Sequence, residues 1–242
     1  MRILKARRRS LYVWKFIQLN RSRMMIFLTI FLLATMLFVI DVKPYASLGL
    51  LMIPLSYALG LYAYRSYMAW SSGPRGEERV LEELGKLKDD YVLIRNVVIP
   101  PSRGDIDYIL VGPTGIFAIE TKNVGGVVSC DGDRWGRHKV GRRGRFYRLE
   151  IGNPSMQVKR SAKTLKDFIL RNGSKIFGRK TPHIWVYGIL IFTNEGVRLN
   201  LRNPSVEILE VESLDDFVLN RREIRISKAV VDRISEAISS LH

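Results

Sequence analysis

The sequence is poor in the residues that build disulfide scaffolds and Cys/His metal sites. Its 242 residues contain one cysteine, Cys130, and three histidines. A single cysteine excludes an internal disulfide and fits a reducing compartment, and His138 and His183 have no partner at a metal-ligand spacing. The sequence also has no internal repeat, no P-loop and no glycine-rich dinucleotide fingerprint. These absences leave carboxylate, amide and basic side chains as the candidates for function.

Acidic residues are missing from the first 23 positions, which carry eight Lys or Arg. Two uncharged stretches without a polar face follow at 24–40 and 46–64. Each is close to the roughly 20 residues that a helix needs to cross a bilayer, and the five residues between them predict a tight helical hairpin. The first stretch is longer than the core of a usual signal peptide and no cleavage site follows it. The positive-inside rule then predicts a two-pass cell-membrane protein whose termini and downstream domain are cytoplasmic.

Composition divides the chain into four predicted parts. They are a basic cytoplasmic N-terminus at 1–23, a transmembrane hairpin at 24–64, a linker at 65–72 and a domain at 73–242. Within that domain we expect the core motifs at 73–190 and a C-terminal strand and helices at 191–242. A hydrophobic content of 47% suffices for one domain of ordinary core with the membrane appendage in front of it.

The stretch GDIDYILVGPTGIFAIETKN at 104–123 carries the candidate chemistry. DIDYILV and IFAIETK have the pattern of two strands and GPTG that of a tight turn, so a β-hairpin is predicted. Alternation places Glu120 and Lys122 on one face, and the hairpin brings Asp107 near Glu120. Two carboxylates that hold Mg²⁺ beside a lysine are suited to phosphodiester cleavage. The alternative is a solvated strand face with a chance ion pair, although charges directly after an apolar run need a reason.

Three motifs together resemble the NERD (nuclease-related) domain of the PD-(D/E)xK nuclease-like superfamily. They are RGEERV at 75–80, the hairpin stretch extended to 104–126, and NPSMQ at 153–157. The resemblance implies a metal site formed by Glu77, Asp107 and Glu120 with Lys122 beside it, and it implies Gln157 as a further site residue. It also implies Mg²⁺ as the cofactor, with Mn²⁺ able to substitute. Ile106 replaces the proline of the PD dipeptide, as is usual in this family.

Two of the implied residues fall on predicted helices. Glu77 precedes an apolar pattern with intervals of three and four, which predicts a helix with Glu77 on its inward face. Acids in a first helical turn also favour the helix dipole without any catalysis. A second helix is predicted over Pro154–Arg171 with Asn153 as its N-cap, which puts Gln157 in the first turn. There Gln157 either orients water or phosphate or is an ordinary surface residue.

Positive charge is concentrated between residues 131 and 180, which hold 15 basic and 4 acidic residues. Aromatic side chains, among them Trp135, Phe146 and Tyr147, are interleaved with the charges. Such a surface neutralises phosphates and stacks bases, so we expect salt-dependent binding of nucleic acid. The predicted contacts are Arg134, Arg137, Arg142, Arg143, Arg145, Arg148, Lys159, Arg160 and Lys163. The alternatives are a solvated hairpin and a patch that faces lipid.

The sequence therefore predicts an α/β protein with a restriction-endonuclease-like mixed sheet flanked by helices, preceded by a two-helix transmembrane hairpin. Its predicted function is Mg²⁺-dependent cleavage of nucleic acid at the cytoplasmic face of the bilayer, with DNA favoured over RNA. One alternative is a catalytically inactive membrane-bound module that binds nucleic acid or protein with the same fold. Another is a structural membrane protein whose basic block contacts lipid. The oligomeric state does not follow from the sequence.

Overall fold

The structure, a computed structural model, describes residues 1–5, 10–40, 45–102, 104–141, 144–178, 182–221 and 225–241. The chain forms two compact units. One comprises Arg8–Arg75, and the other joins Met1–Arg7 to Gly76–His242. The first residues of the chain therefore belong to the same unit as the domain that follows the hairpin, although the whole of the other unit separates them in sequence.

Two long helices make up the first unit. Helix α1 is Ser10–Val39, and helix α2 is Tyr45–Gly85, whose last turns belong to the second unit. Within them, Lys15–Val39 and Tyr45–Met68 have mean hydropathies of 2.1 and 1.6. Most of their large apolar side chains are exposed, as Leu51 is at 72%. Both helices are long and apolar enough to cross a membrane, and exposed apolar side chains suit contact with lipid.

The predicted linker at 65–72 is helical in the structure. These residues lie within α2, which continues through a proline to Gly85. Proline removes one helical hydrogen bond, but Val80 and Leu84 are fully buried in the core, and their packing stabilises the turns that follow. Glu77 therefore lies in the middle of a helix. The helix-dipole interpretation of this residue, which required a first turn, does not apply.

A six-stranded mixed sheet forms the centre of the second unit. In spatial order its strands are β1 (Arg2–Lys5), β2 (Val92–Val98), β3 (Asp105–Gly112), β4 (Gly115–Lys122), β8 (Val186–Phe192) and β10 (Glu207–Leu209). Strands β2, β3 and β4 are antiparallel, whereas β1 pairs in parallel with β2, β8 with β4, and β10 with β8. The predicted β-hairpin is confirmed, because Gly112 of β3 pairs with Gly115 of β4 across the turn.

Helices cover both faces of this sheet. One face packs against α3 (Pro154–Arg171) and α6 (Lys228–Ser239), with α4 (Gly173–Phe177) beside them. The other face packs against the last turns of α2 and against α5 (Leu214–Leu219), which follows a 3₁₀ turn at Val211–Ser213. The two apolar clusters lie on opposite sides of the sheet, so the sheet is buried on both faces. The predicted α/β class, a mixed sheet flanked by helices, is confirmed.

A second sheet of four strands belongs to the same unit. In spatial order its strands are β7 (Phe146–Leu149), β6 (Arg134–Val140), β5 (Gly126–Asp131) and β9 (Val197–Arg202). Its inner face buries Val128 against Val158 of α3 and Leu190 of β8. The predicted turn at DGDRW connects β5 to β6, and Gly132 adopts a positive φ of 62° there. This small sheet is therefore attached to the main sheet through α3 and β8.

The N-terminal strand β1 was not predicted. It pairs in parallel with β2, from Arg2 beside Val92 to Lys5 beside Arg95. The segment RILK is too short to show an alternating pattern, so the sequence alone placed it in the basic tail. In the structure it covers an edge of β2 that would otherwise leave backbone hydrogen-bonding groups unpaired.

Candidate active site

Glu120 lies near the carboxyl end of β4 and is fully buried. It shares a strand face with Ile116 and Ala118, which belong to the apolar cluster on the α3 side of the sheet. The Ser161 hydroxyl donates to Glu120 Oε1 at 2.6 Å, and Gln157 Nε2 donates to Oε2 at 2.6 Å. Both carboxylate oxygens are therefore held by side chains of one helix, α3. A solvated strand face, the alternative left open above, does not describe this residue.

Gln157 connects Glu120 to Lys122. Lys122 Nζ donates to Gln157 Oε1 at 2.6 Å, so the amide lies between the ammonium and the carboxylate. The start of α3 fixes the position of Gln157: Asn153 Oδ1 accepts from the Met156 backbone N–H at 3.0 Å, and Pro154 occupies the first turn. The predicted helix and its cap are confirmed, and they place Gln157 directly at the two β4 residues.

Asp107 lies on β3 where the pairing of this strand with β4 ends. The last antiparallel pair on that side is Tyr108 with Ile119. Beyond it, Asp107 Oδ2 accepts hydrogen bonds from the Thr121 backbone N–H at 2.8 Å and from the Thr121 hydroxyl at 3.0 Å. The Asp107 carboxylate thus accepts a hydrogen bond of the kind that a backbone carbonyl accepts within a sheet. It links the ends of β3 and β4 beyond their last backbone pair.

The alternation of side chains is interrupted at Asp107. Ile106 and Ile109 both belong to the cluster on the α3 side, whereas Tyr108 belongs to the cluster on the opposite side. The register of β2 and β3 places Asn96 opposite Asp107, and Asn96 has a φ of 53°. A left-handed conformation is uncommon for residues other than glycine. This local distortion of both strands sets the direction in which the Asp107 side chain leaves the sheet.

Burial raises the proton affinity of both carboxylates. The pKa of Glu120 is raised to about 7, chiefly by burial and next by the negative charge of Asp107, against the opposing effects of Ser161 and Lys122. The pKa of Asp107 is also raised, chiefly by burial, although the hydrogen bonds from Thr121 and the charge of Lys122 oppose this. A bound cation would stabilise both ionised carboxylates.

Glu77 differs from the inward-facing residue that the sequence predicts. Its side chain is 50% exposed and accepts a hydrogen bond from Arg95 Nη2 at 2.8 Å. The predicted inward orientation is wrong, because the guanidinium of Arg95 on β2 binds the carboxylate outside the apolar stripe. The pKa of Glu77 is nevertheless raised, chiefly by desolvation and further by the charge of Asp107, with Arg95 opposing. The negative charge of Glu77 therefore interacts with Asp107, while its Oε2 accepts the hydrogen bond from Arg95.

A site for a divalent cation reduces to Asp107 and Glu120. Among the described residues, no three His, Cys, Asp or Glu side chains converge to hold a metal ion. The pair nevertheless fits Mg²⁺, which proteins often bind through one or two carboxylates while it keeps several waters. Two desolvated carboxylates with raised pKa values form the kind of donor set that a cation stabilises. The third ligand expected from the sequence, Glu77, has its Oε2 bound to Arg95.

Comparison with known proteins places this domain in a family. The profile of the nuclease-related domain, NERD, matches residues 72–193, just over half of the chain. The chain belongs to the NERD family. It is also similar to the probable kinase PglW of Streptomyces coelicolor, with 29% identity over 114 residues. That match covers 47% of this chain and 6% of PglW, so the chain corresponds to a small part of that protein. No solved structure matches the chain.

Two polar residues at the site of this NERD domain were missed from the sequence. Thr121 lies between Glu120 and Lys122, so alternation alone directs it to the other face, yet it donates two hydrogen bonds to Asp107. Ser161 follows Gln157 by four residues, which is the spacing of neighbours on one helix face. That spacing was the signal that could have found Ser161.

The basic residues expected to bind nucleic acid do not form one free surface. Four have partners: Arg134 with Asp131 at 2.8 Å, Arg137 with the Gly125 carbonyl at 2.9 Å, Lys159 with Asp133 at 2.7 Å and Lys163 with Asp167 at 2.6 Å. Arg145, Arg148 and Arg160 are exposed. Arg142 and Arg143 lie outside the described residues. Part of the predicted positive charge is therefore already balanced within the domain.

Proposed function

We propose that this NERD protein is a membrane-anchored, Mg²⁺-dependent phosphodiesterase that cleaves nucleic acid at the cytoplasmic face, with DNA preferred over RNA. The observation that carries the proposal is the buried Glu120 beside Asp107, connected through Gln157 to Lys122. Burial of ionisable groups opposes folding unless partners compensate, and apolar residues of similar size often serve stability better. Perturbed carboxylates held by hydrogen bonds are typical of functional sites.

Asp107 and Glu120 are the residues that would hold Mg²⁺ or its substitute Mn²⁺. When bound, such an ion supplies a Lewis acid that polarises the phosphate and lowers the pKa of water. Ser161 and Gln157 fix the two oxygens of Glu120, and Thr121 fixes Oδ2 of Asp107. The carboxylates are therefore oriented before substrate arrives, which lowers the entropy lost on reaching the reactive geometry.

Lys122 supplies positive charge next to the carboxylates. Gln157 Oε1 accepts one of its protons at 2.6 Å, so the ammonium is positioned by a neutral group and keeps its charge uncompensated by an ion pair in the described part of the chain. Two further N–H donors of the ammonium are free to point at phosphate oxygens. In the proposed mechanism the Lys122 ammonium stabilises the negative charge that develops during cleavage, or, after it has lost a proton, the neutral amine accepts one from the attacking water. Gln157 positions that water.

A second candidate function is a catalytically inactive module that binds nucleic acid or protein. The observation that favours it is the engagement of both Glu120 oxygens by Gln157 and Ser161. Glu77, the third expected ligand, is bound to Arg95. In a binding module these hydrogen bonds would be the only partners of Glu120, whereas in an enzyme its remaining lone pairs would accept the cation beside them.

A cleavage assay separates the two candidates. The full-length protein, purified in detergent, is mixed with labelled single-stranded and duplex DNA and RNA in the presence of Mg²⁺, Mn²⁺ or a chelator. The phosphodiesterase proposal expects product with either cation and none with chelator, and it expects DNA to be cleaved faster than RNA. Binding without turnover under any of these conditions would contradict it and support the inactive module.

The proposed orientation has both termini in the cytoplasm. The eight basic residues before the apolar stretch at 24–40 support it. The pairing of β1 with β2 supports it independently, since a strand before the hairpin joins the sheet after it and requires an even number of crossings. Reporters fused after His242 and before Met1 should both be active only inside the cell. Cleavage of the domain by protease added outside intact cells would contradict this orientation.

A further inference from the structure

The outer face of the second sheet carries positive charge, part of which lies outside the basic block of the sequence. Paired residues on neighbouring strands share a face of the sheet. The register therefore puts Arg198 of β9, Val127 of β5, His138 of β6 and Arg148 of β7 in one row across all four strands. The inner face is the one that buries Val128. This row points the opposite way, into solvent.

A second row of the same face contains Arg202, Asp131 and Arg134. Asp131 binds Arg134 at 2.8 Å and is the single acidic residue among the paired positions of this face in the described chain. Strand geometry separates the two rows by about 13 Å and separates arginines within a row by about 10 to 14 Å. The face thus presents four arginines around a patch that holds one carboxylate.

The row between the arginines consists of small, neutral residues: Asn200, Ser129 and Gly136. A Cβ at Gly136 would lie 2.8 Å from Ser129 Oγ. Glycine therefore leaves the space above the strand free of a side chain at this point. A shallow depression there is lined by Ser129, Asn200, Arg134 and Arg202, among others. Glycine inside a strand weakens it and often marks a place where another chain approaches closely.

An exposed aromatic ring lies at the end of the same face. Phe146 of β7 pairs with Val140 of β6, and Phe146 is 75% exposed. The combination of arginines at the border, small polar groups in the middle and an exposed ring suits unpaired nucleotides, whose phosphates bind cations and whose bases stack on aromatic side chains. A duplex offers no free base faces, and this sheet presents no helix for a groove.

From this placement we infer that the outer face of β7, β6, β5 and β9 binds single-stranded nucleic acid. The phosphates lie along the arginine rows, and the bases lie over the Asn200, Ser129 and Gly136 row and on Phe146. The inference rests on the proposed function for the identity of the ligand, and it adds a substrate form and a second surface. Arg198 and Arg202 belong to this surface although they lie outside the basic block of the sequence.

The test measures binding of full-length protein in detergent to labelled oligonucleotides without divalent cation. Arg198→Ala combined with Arg202→Ala should flatten the slope of log K against log salt by about 1.4, because each phosphate contact on a single strand contributes about 0.7. The matched control removes the same charge through Arg225→Ala and Arg233→Ala, which are exposed residues near and on α6. The control slope should equal that of the wild type. An unchanged slope in the first variant, or equal changes in both, would overturn the inference.

Phe146→Ala gives a second measurement that does not depend on charge. Loss of one stacked base should weaken single-strand binding about tenfold and leave duplex binding unchanged. Equal binding by the variant and the wild type would remove the ring from the proposed surface. Equal affinity of the wild-type protein for single strands and duplexes would contradict the preference for unpaired nucleotides.

Anionic lipid is the other polyanion available to a membrane protein, so the protein in neutral-lipid nanodiscs is also mixed with vesicles of phosphatidylcholine, with and without phosphatidylglycerol. If the Arg198 and Arg202 substitutions remove vesicle binding but leave oligonucleotide binding intact, the face binds lipid and the inference is wrong.

Cleavage of the oligonucleotides is measured separately from their binding. Arginine-dependent binding without turnover would refute the phosphodiesterase alone, and turnover with arginine-independent binding would refute the binding face alone.

Discussion

The two sheets of this NERD domain hold their charges in opposite ways. On the six-stranded sheet, Glu120 and Asp107 are desolvated and each accepts two hydrogen bonds from neighbouring groups. On the four-stranded sheet, Arg148, Arg198 and Arg202 are exposed and have no partner in the described part of the chain. Charges in a low dielectric interact strongly at short range, whereas exposed charges act through solvent and are screened by salt.

In the proposed function the two regions have separate tasks. A buried, hydrogen-bonded carboxylate is held in one geometry, so its chemistry depends on small displacements. An exposed arginine row tolerates many geometries and contributes mainly to the attraction of a polyanion. Substitutions on the first sheet should therefore change the rate of cleavage with little change in salt dependence, and substitutions on the second should do the reverse.

The largest effect is expected from Glu120→Gln. Glutamine keeps the size of the side chain but removes the charge that would bind a divalent cation, so cleavage should fall below detection while the far-UV circular dichroism spectrum stays unchanged. The salt dependence of nucleic acid binding should also stay unchanged, because the second sheet is intact. Glu236→Gln on α6 is the control, since it removes an exposed carboxylate. Substantial cleavage by Glu120→Gln would break the assignment of chemistry to the first sheet.

A smaller loss is expected from Lys122→Ala. The substitution removes a positioned electrostatic donor, and the rate should fall by roughly 10² to 10³. Affinity for the cation should persist or increase, because the variant lacks a positive charge beside two carboxylates. Rates measured at several Mg²⁺ concentrations distinguish these two effects. If the rate is restored by high Mg²⁺, Lys122 supports cation binding and does not act on the transition state.

Local sequence patterns were sufficient for the centre of the site. Alternation along IFAIETK placed Glu120 and Lys122 on one face, and the Asn-Pro pair at the start of α3 placed Gln157, because both signals lie within one turn or strand. The apolar run at 184–192 likewise predicted β8, observed at Val186–Phe192. The role of each site residue in catalysis stays a prediction.

Features that depend on contacts between distant segments could not be predicted from local sequence patterns. Strand β1 is defined by its pairing with β2 and not by its own four residues. The orientation of Glu77 depends on Arg95 of β2, and the second hydrogen bond to Glu120 depends on Ser161. Alternation also failed at Asp107, where the left-handed Asn96 opposite it distorts both strands. These features depend on tertiary structure, which propensity and spacing do not encode.

The smallest expected effect is the change in folding stability with pH. Its measurement needs no substrate. The pKa of Glu120 is raised from 4.5 to about 7, so between these values the folded protein keeps a proton that the unfolded chain releases. The stabilising contribution is complete below the lower value and is lost as pH rises through the upper one. At about 1.4 kcal/mol for each pKa unit, the loss is at most roughly 3.5 kcal/mol. Asp107 adds to it in the same direction, since its pKa is also raised.

Thermal unfolding of the second unit, followed by intrinsic fluorescence in chelator, checks this prediction. The midpoint for the wild type should be lower at about pH 8 than at about pH 5, and Glu120→Gln should show a smaller decrease because its side chain has no proton to lose. Mg²⁺ at about pH 8 should raise the wild-type midpoint more than that of Glu120→Gln, since only the wild type has both carboxylates. The Arg198→Ala and Arg202→Ala variant should follow the wild type, because these residues lie on the other sheet and do not contact Glu120. If the melting temperatures of the wild type and Glu120→Gln change identically with pH, the pKa of Glu120 is not raised. The contrast between its buried carboxylate and the exposed arginines then fails.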